Sequence, residues 1–263
     1  MSELILREDT GRVARLVMNS PENFNALSAE MIATLYTTLA AIGTEENIRA
    51  IIIAANGKAF SAGHDLRQMQ AARGNPDRGR AGFSALFDGC AQLMQLIPTL
   101  PQPVIAEIQG VATAAGCQLV ASCDLAVAAT TAKFGVNGVN LGLFCSTPAV
   151  ALSRAVNRKA AFEMLVTGKF IDAQEAQCLG LINQVAKVAE LESDTMALAQ
   201  KIAEKLPTAV RMGKRSFYEQ LAHETADAYE AAGDTMCANM MLPETDEGIS
   251  AFLEKRKPDW AES

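Results

Sequence analysis

Two short segments combine glycine, small residues and polar groups in a way that can hold a developing negative charge. The first is Lys58-Ala59-Phe60-Ser61-Ala62-Gly63-His64-Asp65-Leu66. It follows an apolar run that reads as a strand. Small residues and Gly63 just past a strand end let backbone N–H groups face outward, at the edge where α/β sheets take ligands. The plain alternative is a turn closed by a helix cap at Asp65. The second is Gln109-Gly110-Val111-Ala112-Thr113-Ala114-Ala115-Gly116-Cys117-Gln118-Leu119. A strand, a bend of small residues and then a helix leave unpaired N–H donors at the helix N-terminus, which suits an oxyanion. Its alternative is close strand-to-helix packing that admits only small side chains. Neither motif decides alone, but the two together, about 50 residues apart and each after a strand, are specific.

Alternating elements must position these segments. Residues 12–18 alternate polar and apolar as a half-buried strand does. Ser28 caps a helix reaching about residue 42, with Met31, Ile32, Leu35, Leu39 and Ile42 on one stripe. Residues 51–55, 104–108 and 124–128 are short apolar runs of the kind found in buried parallel strands. Strands separated by helical stretches predict βαβ units and a mainly parallel sheet. Residues 72–80, charged and broken by Gly and Pro, predict a loop. Beyond about residue 147 the pattern is nearly all helical, at 151–155, 159–166, 172–179, 191–206, 209–225 and 227–241, with one strand at 181–185. Such a tail covers its apolar faces either within the chain or against other subunits.

The 263 residues are 49% hydrophobic and 20% charged, an ordinary globular balance with length for a large core. No apolar run approaches the roughly 18 residues of a membrane span. The N-terminus lacks the layout of a signal or transit peptide, so the expectation is a soluble, cytoplasmic protein with no membrane partner. A net charge of −7 argues against nucleic acid, yet local Lys and Arg can still serve a phosphate. Six cysteines, none spaced as CxxC, and two histidines predict reduced thiols and no metal site.

With these segments in view, the chain resembles the enoyl-CoA hydratase/isomerase (crotonase) superfamily. Val17-Met18-Asn19-Ser20-Pro21 and Asn25-Ala26-Leu27-Ser28 are similar to the family opening. Phe60 through Leu66 resembles its first oxyanion-hole segment, and Gly110 through Leu119, continuing to Cys123-Asp124-Leu125-Ala126, its second. Leu165-Val166-Thr167-Gly168, Ala173-Gln174-Glu175-Ala176, Gly180-Leu181-Ile182 and Phe252-Leu253-Glu254-Lys255-Arg256-Lys257-Pro258 extend the likeness to the end of the chain. It implies an α/β fold, a crotonase-like ββα spiral core over residues 1–200. A helical C-terminal trimerisation region would occupy 201–263, giving a homotrimer or a dimer of trimers.

The resemblance further implies an acyl-CoA thioester as ligand, with coenzyme A as part of the substrate and no other cofactor. The backbone N–H groups of His64 and Ala115 would hold the thioester oxygen, each such donor being worth about 3–4 kcal/mol in a transition state. The coenzyme A adenine side would be lined by Phe24, Ala26, Ala62, Asp65, Leu66 and Arg67. Arg67, Lys255 and Lys257 would be the cations for its phosphates, although a solvated charge run explains the last two as well.

The departures matter more. A standard hydratase has a glutamate two residues past the last glycine of the second segment, where Gln118 stands here, and another about twenty residues on, at Gly138. An amide can orient water but cannot exchange a proton near neutral pH. Ordinary two-glutamate hydration is therefore not expected. His64 is a titratable group on the first loop, open to a catalytic role or to packing and coenzyme A contact. Cys145 would need an activating base to act as a nucleophile, and a buried structural thiol is the better reading. Gly63-His64-Asp65 with Val139-Asn140-Leu141-Gly142 is similar to methylmalonyl-CoA decarboxylases, with Cys145 in place of their tyrosine. The runs from Cys117 to Asp124 and from Gly142 to Pro148 resemble the subgroup of enoyl-CoA hydratase domain-containing protein 3, which marks a lineage rather than a reaction. A non-catalytic acyl-CoA-binding protein is the remaining alternative.

Overall fold

The computed structural model of the chain describes residues 3–261. Two strands open it, β1 (Ile5–Thr10) and β2 (Val13–Met18), paired antiparallel. Helix α1 (Ala29–Ile42) begins as its sequence predicts, with the Ser28 hydroxyl accepting the Met31 N–H at 3.2 Å. Its stripe of Met31, Ile32, Leu35, Leu39 and Ile42 is buried, at about 1.5–3 kcal/mol for each large side chain removed from water.

Three ββα turns follow. The first is β3 (Ala50–Ala55), β4 (Ala59–Ser61) and the helices α2 (Leu66–Ala72) and α3 (Arg80–Thr99). The second is β5 (Val104–Ile108), β6 (Val111–Thr113) and α4 (Ala115–Ser122). The third is β7 (Leu125–Ala129), β8 (Lys133–Gly135), a 3-10 turn at Asn137–Leu141 and α5 (Ser146–Ala155). Each turn gives one strand to each of two sheets, and the expected ββα spiral is what results. After α6 (Arg158–Thr167), β9 (Phe170–Asp172), α7 (Ala173–Leu179) and β10 (Gln184–Ala186), the larger sheet runs β1-β2-β3-β5-β7-β10 and the smaller β4-β6-β8-β9. Only the β1/β2 and β8/β9 pairs are antiparallel.

Helix α8 (Leu191–Ala203) covers the outer face of the larger sheet, over Val13, Ile52, Ile105 and Val127. The helical tail is α9 (Pro207–Gln220), α10 (Thr225–Met240) and α11 (Pro243–Glu254). Among these three, only Ala251 is buried. What fixes α9 is a buried ion pair: Lys214 Nζ donates to Asp124 Oδ2 at 2.6 Å and to the carbonyls of Ile97 and Gln102 at 2.9 Å. Tyr218 donates to the other Asp124 oxygen at 2.7 Å.

Several boundaries differ from the sequence reading. The strand expected at 181–185 is β10, because Leu181 and Ile182 turn inward to the core before pairing begins. Helix 191–206 stops at Ala203, since a residue before proline disfavours helical geometry and Pro207 opens α9. The strand at 124–128 starts one residue late, because the Asp124 carboxylate takes the Val104 N–H at 2.6 Å.

Candidate functional site

The first loop leaves β4 and is tied at once to the segment 24–27. Ala62 N–H donates to the Phe24 carbonyl at 3.0 Å, and Leu27 N–H donates to the Gly63 carbonyl at 2.7 Å. Phe24 and Asn25 both have left-handed backbones, with φ of 51° and 49°. That geometry is held by the buried Asn25 carboxamide, which accepts from Ser20 N–H and donates to the Asn56 and Ala59 carbonyls at 2.8 and 2.9 Å.

Gly63 has φ +85°, open to glycine but strained for other residues. A Cβ there would lie 2.9 Å from Ala114 Cβ, 3.0 Å from the Thr113 carbonyl oxygen and 3.2 Å from Ala115 N. The two segments singled out in the sequence are therefore in direct contact. Ala114 carries φ 50° and ψ −119° without being glycine, with its N–H held by the Gly135 carbonyl at 2.9 Å. Strain of this kind survives only where the surroundings impose it. Ala115 is the first residue of α4, where helix geometry leaves the N–H without an intrahelical acceptor. In the parallel bridge between Leu27 and His64, the carbonyl that binds is that of Gly63. Gly63 thereby sets the loop that carries His64 against the start of α4 at Ala115.

Gln118, one turn further along α4, is 4% exposed, and its Oε1 is buried without a hydrogen-bond partner. The half-buried His64 ring packs on Phe87 of α3, with centroids 5.5 Å apart. Its Nδ1 lies 3.2 Å from the Leu27 carbonyl. A carbonyl only accepts, so Nδ1 carries the proton and Nε2 is left as a bare acceptor, buried and unpartnered. Burial pulls the imidazole below its ordinary range, opposed by the bond to Leu27.

Gly138 is buried in the 3-10 turn, and a Cβ on it would collide with the Leu143 carbonyl oxygen and with Cys145 Sγ. Its N–H donates to that sulfur at 3.3 Å. Burial pushes the Cys145 thiol up, with the Gly138 N–H opposing. Next to it, Thr113 Oγ1 donates to Asn137 Oδ1 at 2.6 Å.

His64, Ala115 and the segment with Phe24, Ala26 and Ala62 thus come together through the contacts above, with Gln118 one helical turn away. Phe24 and Leu66 are exposed apolar side chains, and Arg67 is exposed. The Asp65 carboxylate is used within the chain, capping α2 through Arg67 and Gln68 N–H. Lys255 and Lys257 lie beyond α11, which packs on α10, and among the described residues no hydrogen bond or ion pair joins them to the Phe24–Arg67 group. Phe87, Thr113 and Asn137 were not singled out from the sequence. A cavity of about 580 Å³ between α8 and α9, lined by Lys201, Lys214 and Phe217, includes none of these site residues.

A ββα spiral whose first two turns meet where Gly63 lies against Ala114 and Ala115 is the architecture of a crotonase-type protein. The enoyl-CoA hydratase/isomerase family profile matches residues 8–263, and the chain belongs to that family. The mitochondrial enoyl-CoA hydratase domain-containing protein 3 of Xenopus laevis is 44% identical over 259 residues, covering 98% of this chain and 86% of the relative. A Mycobacterium smegmatis enoyl-CoA hydratase structure shares 51% identity, with TM-score 0.94 and coverage of 98% and 99%. The human enoyl Coenzyme A hydratase domain-containing protein 3 structure shares 43%, with TM-score 0.93 and coverage of 98% and 100%. The expected subgroup likeness holds. The expected cytoplasmic location does not, because the vertebrate relatives of that name are described as mitochondrial.

Proposed function

We propose that this chain binds an acyl-CoA thioester, holds its carbonyl oxygen between the backbone N–H groups of His64 and Ala115, and carries out enolate chemistry other than two-glutamate hydration. The observation that carries this reading is the contact of Gly63 with Ala114 and Ala115. It supports two fixed donors side by side, where enolate charge would develop on one oxygen and where preorganised dipoles stabilise most. Phe24, Ala26, Ala62, Asp65, Leu66 and Arg67 are the proposed coenzyme A side, with exposed Phe24 and Leu66 suited to a flat adenine ring. Lys255 and Lys257 are its proposed phosphate contacts.

Against hydration stand the amide of Gln118 and the filled space at Gly138. A decarboxylation fits the same donors, because loss of CO₂ leaves an enolate with no need for a base to remove a proton. We also propose that residues 201–263 form a subunit interface, as a trimer or a dimer of trimers. Phe217, Leu221, Tyr229, Met241, Phe252 and Leu253 support it, being 57–83% exposed on helices α9–α11 and their ends.

Turnover of crotonyl-CoA, malonyl-CoA and methylmalonyl-CoA tests the reaction. The expected result is no fast hydration of crotonyl-CoA, and fast hydration overturns the reading of Gln118 and Gly138. Decarboxylation without hydration selects the decarboxylase alternative. Tight binding of all three with no turnover selects a binding protein.

A further inference from the structure

Buried polar atoms in folded proteins nearly always have partners, and those without one mark a ligand, a water or a catalytic group. Three such atoms lie on the segments that meet at Gly63 and Ala115: His64 Nε2, Gln118 Oε1 and, before the bend, Gln109 Oε1, whose amide nitrogen is bonded to the Ala55, Gly57 and Ala59 carbonyls. All three are acceptors, and of them only the His64 nitrogen can take a full proton near neutral pH.

The titratable side chains of these segments and of the neighbouring 134–146 stretch are Lys58, His64, Asp65, Cys117 and Cys145. The Asp65 carboxylate is held by Arg67 and Gln68 N–H. The Cys117 thiol is pushed up to about 12 by burial, and that of Cys145 is pushed up as well. Gln118 does not titrate. Only the imidazole can exchange a proton near neutral pH.

Resting on the functional reading above, we propose that the His64 side chain is the base of this site, its Nε2 taking a proton from the acyl Cα of the thioester held by its own backbone N–H. The Cα–H bond breaks, and its electron pair passes into the Cα–C1 bond and onto the thioester oxygen between His64 and Ala115. The proton moves to Nε2, and the reverse step returns it to Cα. One residue thus supplies an oxyanion donor from its backbone and the base from its side chain. The Nδ1 bond to Leu27 fixes the tautomer in which Nε2 is free, and Phe87 fixes the ring. Among the described residues, no charged side chain acts on the imidazole. The ring meets Phe87 of α3 and the Leu27 carbonyl, while Asp65, next in sequence, is committed to capping α2.

The test is Cα proton exchange of butyryl-CoA in D₂O, followed by proton NMR, alongside calorimetric binding of the same ester. Wild type is expected to exchange, with a rate that falls as pH drops through and below the histidine range. His64→Gln keeps the backbone N–H, so binding should persist while exchange falls about 10²–10⁴-fold, the usual contribution of a general base. Butyryl-CoA binding by wild type without exchange overturns this proposal alone. Exchange at the wild-type rate in His64→Gln also overturns it. If that variant fails to fold, a wild-type rate that stays flat from about pH 8 down to the acid limit of the folded protein overturns it instead. Absence of binding by wild type sinks the functional reading as well.

Discussion

Cys145 Sγ stands where a side chain on Gly138 would begin, 2.7 Å from the position of its Cβ. The Leu143 carbonyl oxygen blocks the same space from backbone, which cannot rotate away as a side chain can. Gly138→Ala is therefore expected to lower stability by about 1–3 kcal/mol, the usual cost of overpacking. Urea unfolding measures it, and an unchanged midpoint would show that the turn has room. For the same reason Gln118→Glu with Gly138→Glu should not install hydratase activity.

Gly63 sets the spacing of the two donor segments. Gly63→Ala adds a methyl where φ is +85° and Ala114 Cβ is 2.9 Å away. Pushing the loops apart should cost the CoA-ester reaction about 10²–10³-fold, as loss of one oxyanion donor does. Steady-state turnover checks this, and full activity in that variant would mean that the donors need not be set so closely.

The Lys214–Asp124 pair joins α9 to the core, with side chains only 6% and 11% exposed. Lys214→Met leaves a buried carboxylate without its cation and should destabilise by about 3–5 kcal/mol. Adding Asp124→Asn should recover part of that loss, because neighbouring partners are not additive. Equal losses in the single and double variants, by denaturant unfolding, would contradict the pairing.

The pH dependence of stability follows from His64. Its pKa is lower in the folded than in the unfolded chain, because burial disfavours the charged ring. The unfolded chain then binds more protons as pH falls below about 6.5, so stability is present above that value and is lost on acidification. Tm measured against pH should fall less steeply in His64→Gln than in wild type. Parallel curves would show that the ring is not titrating where its burial implies.

Much of this architecture was legible because local chemistry dictated it. Ser28 capping α1 and the apolar strands at 51–55 and 104–108 depend on neighbouring residues alone. The two glycine-bearing segments that meet at Gly63 were visible for the same reason. Helix α3 was left unassigned, although Leu86, Cys90, Leu93, Met94 and Ile97 are spaced for a helix face. Gly82, Gly89 and Pro98 interrupt its propensity, and tertiary packing overrides them. Strands β4, β6, β8 and β9 are three residues each, too short to display a period of two. Lys214 meeting Asp124 across 90 positions, and the burial of His64 Nε2, exist only in three dimensions.

Calorimetric titration of the wild-type protein with butyryl-CoA, and with acetyl-CoA, malonyl-CoA and methylmalonyl-CoA beside it, tests the central claim most directly. Saturable binding of acyl-CoA esters, weakened in Gly63→Ala, is the predicted result. No binding of any CoA ester would contradict the account at its root, since the proposed backbone donors of His64 and Ala115 would then have no thioester to hold.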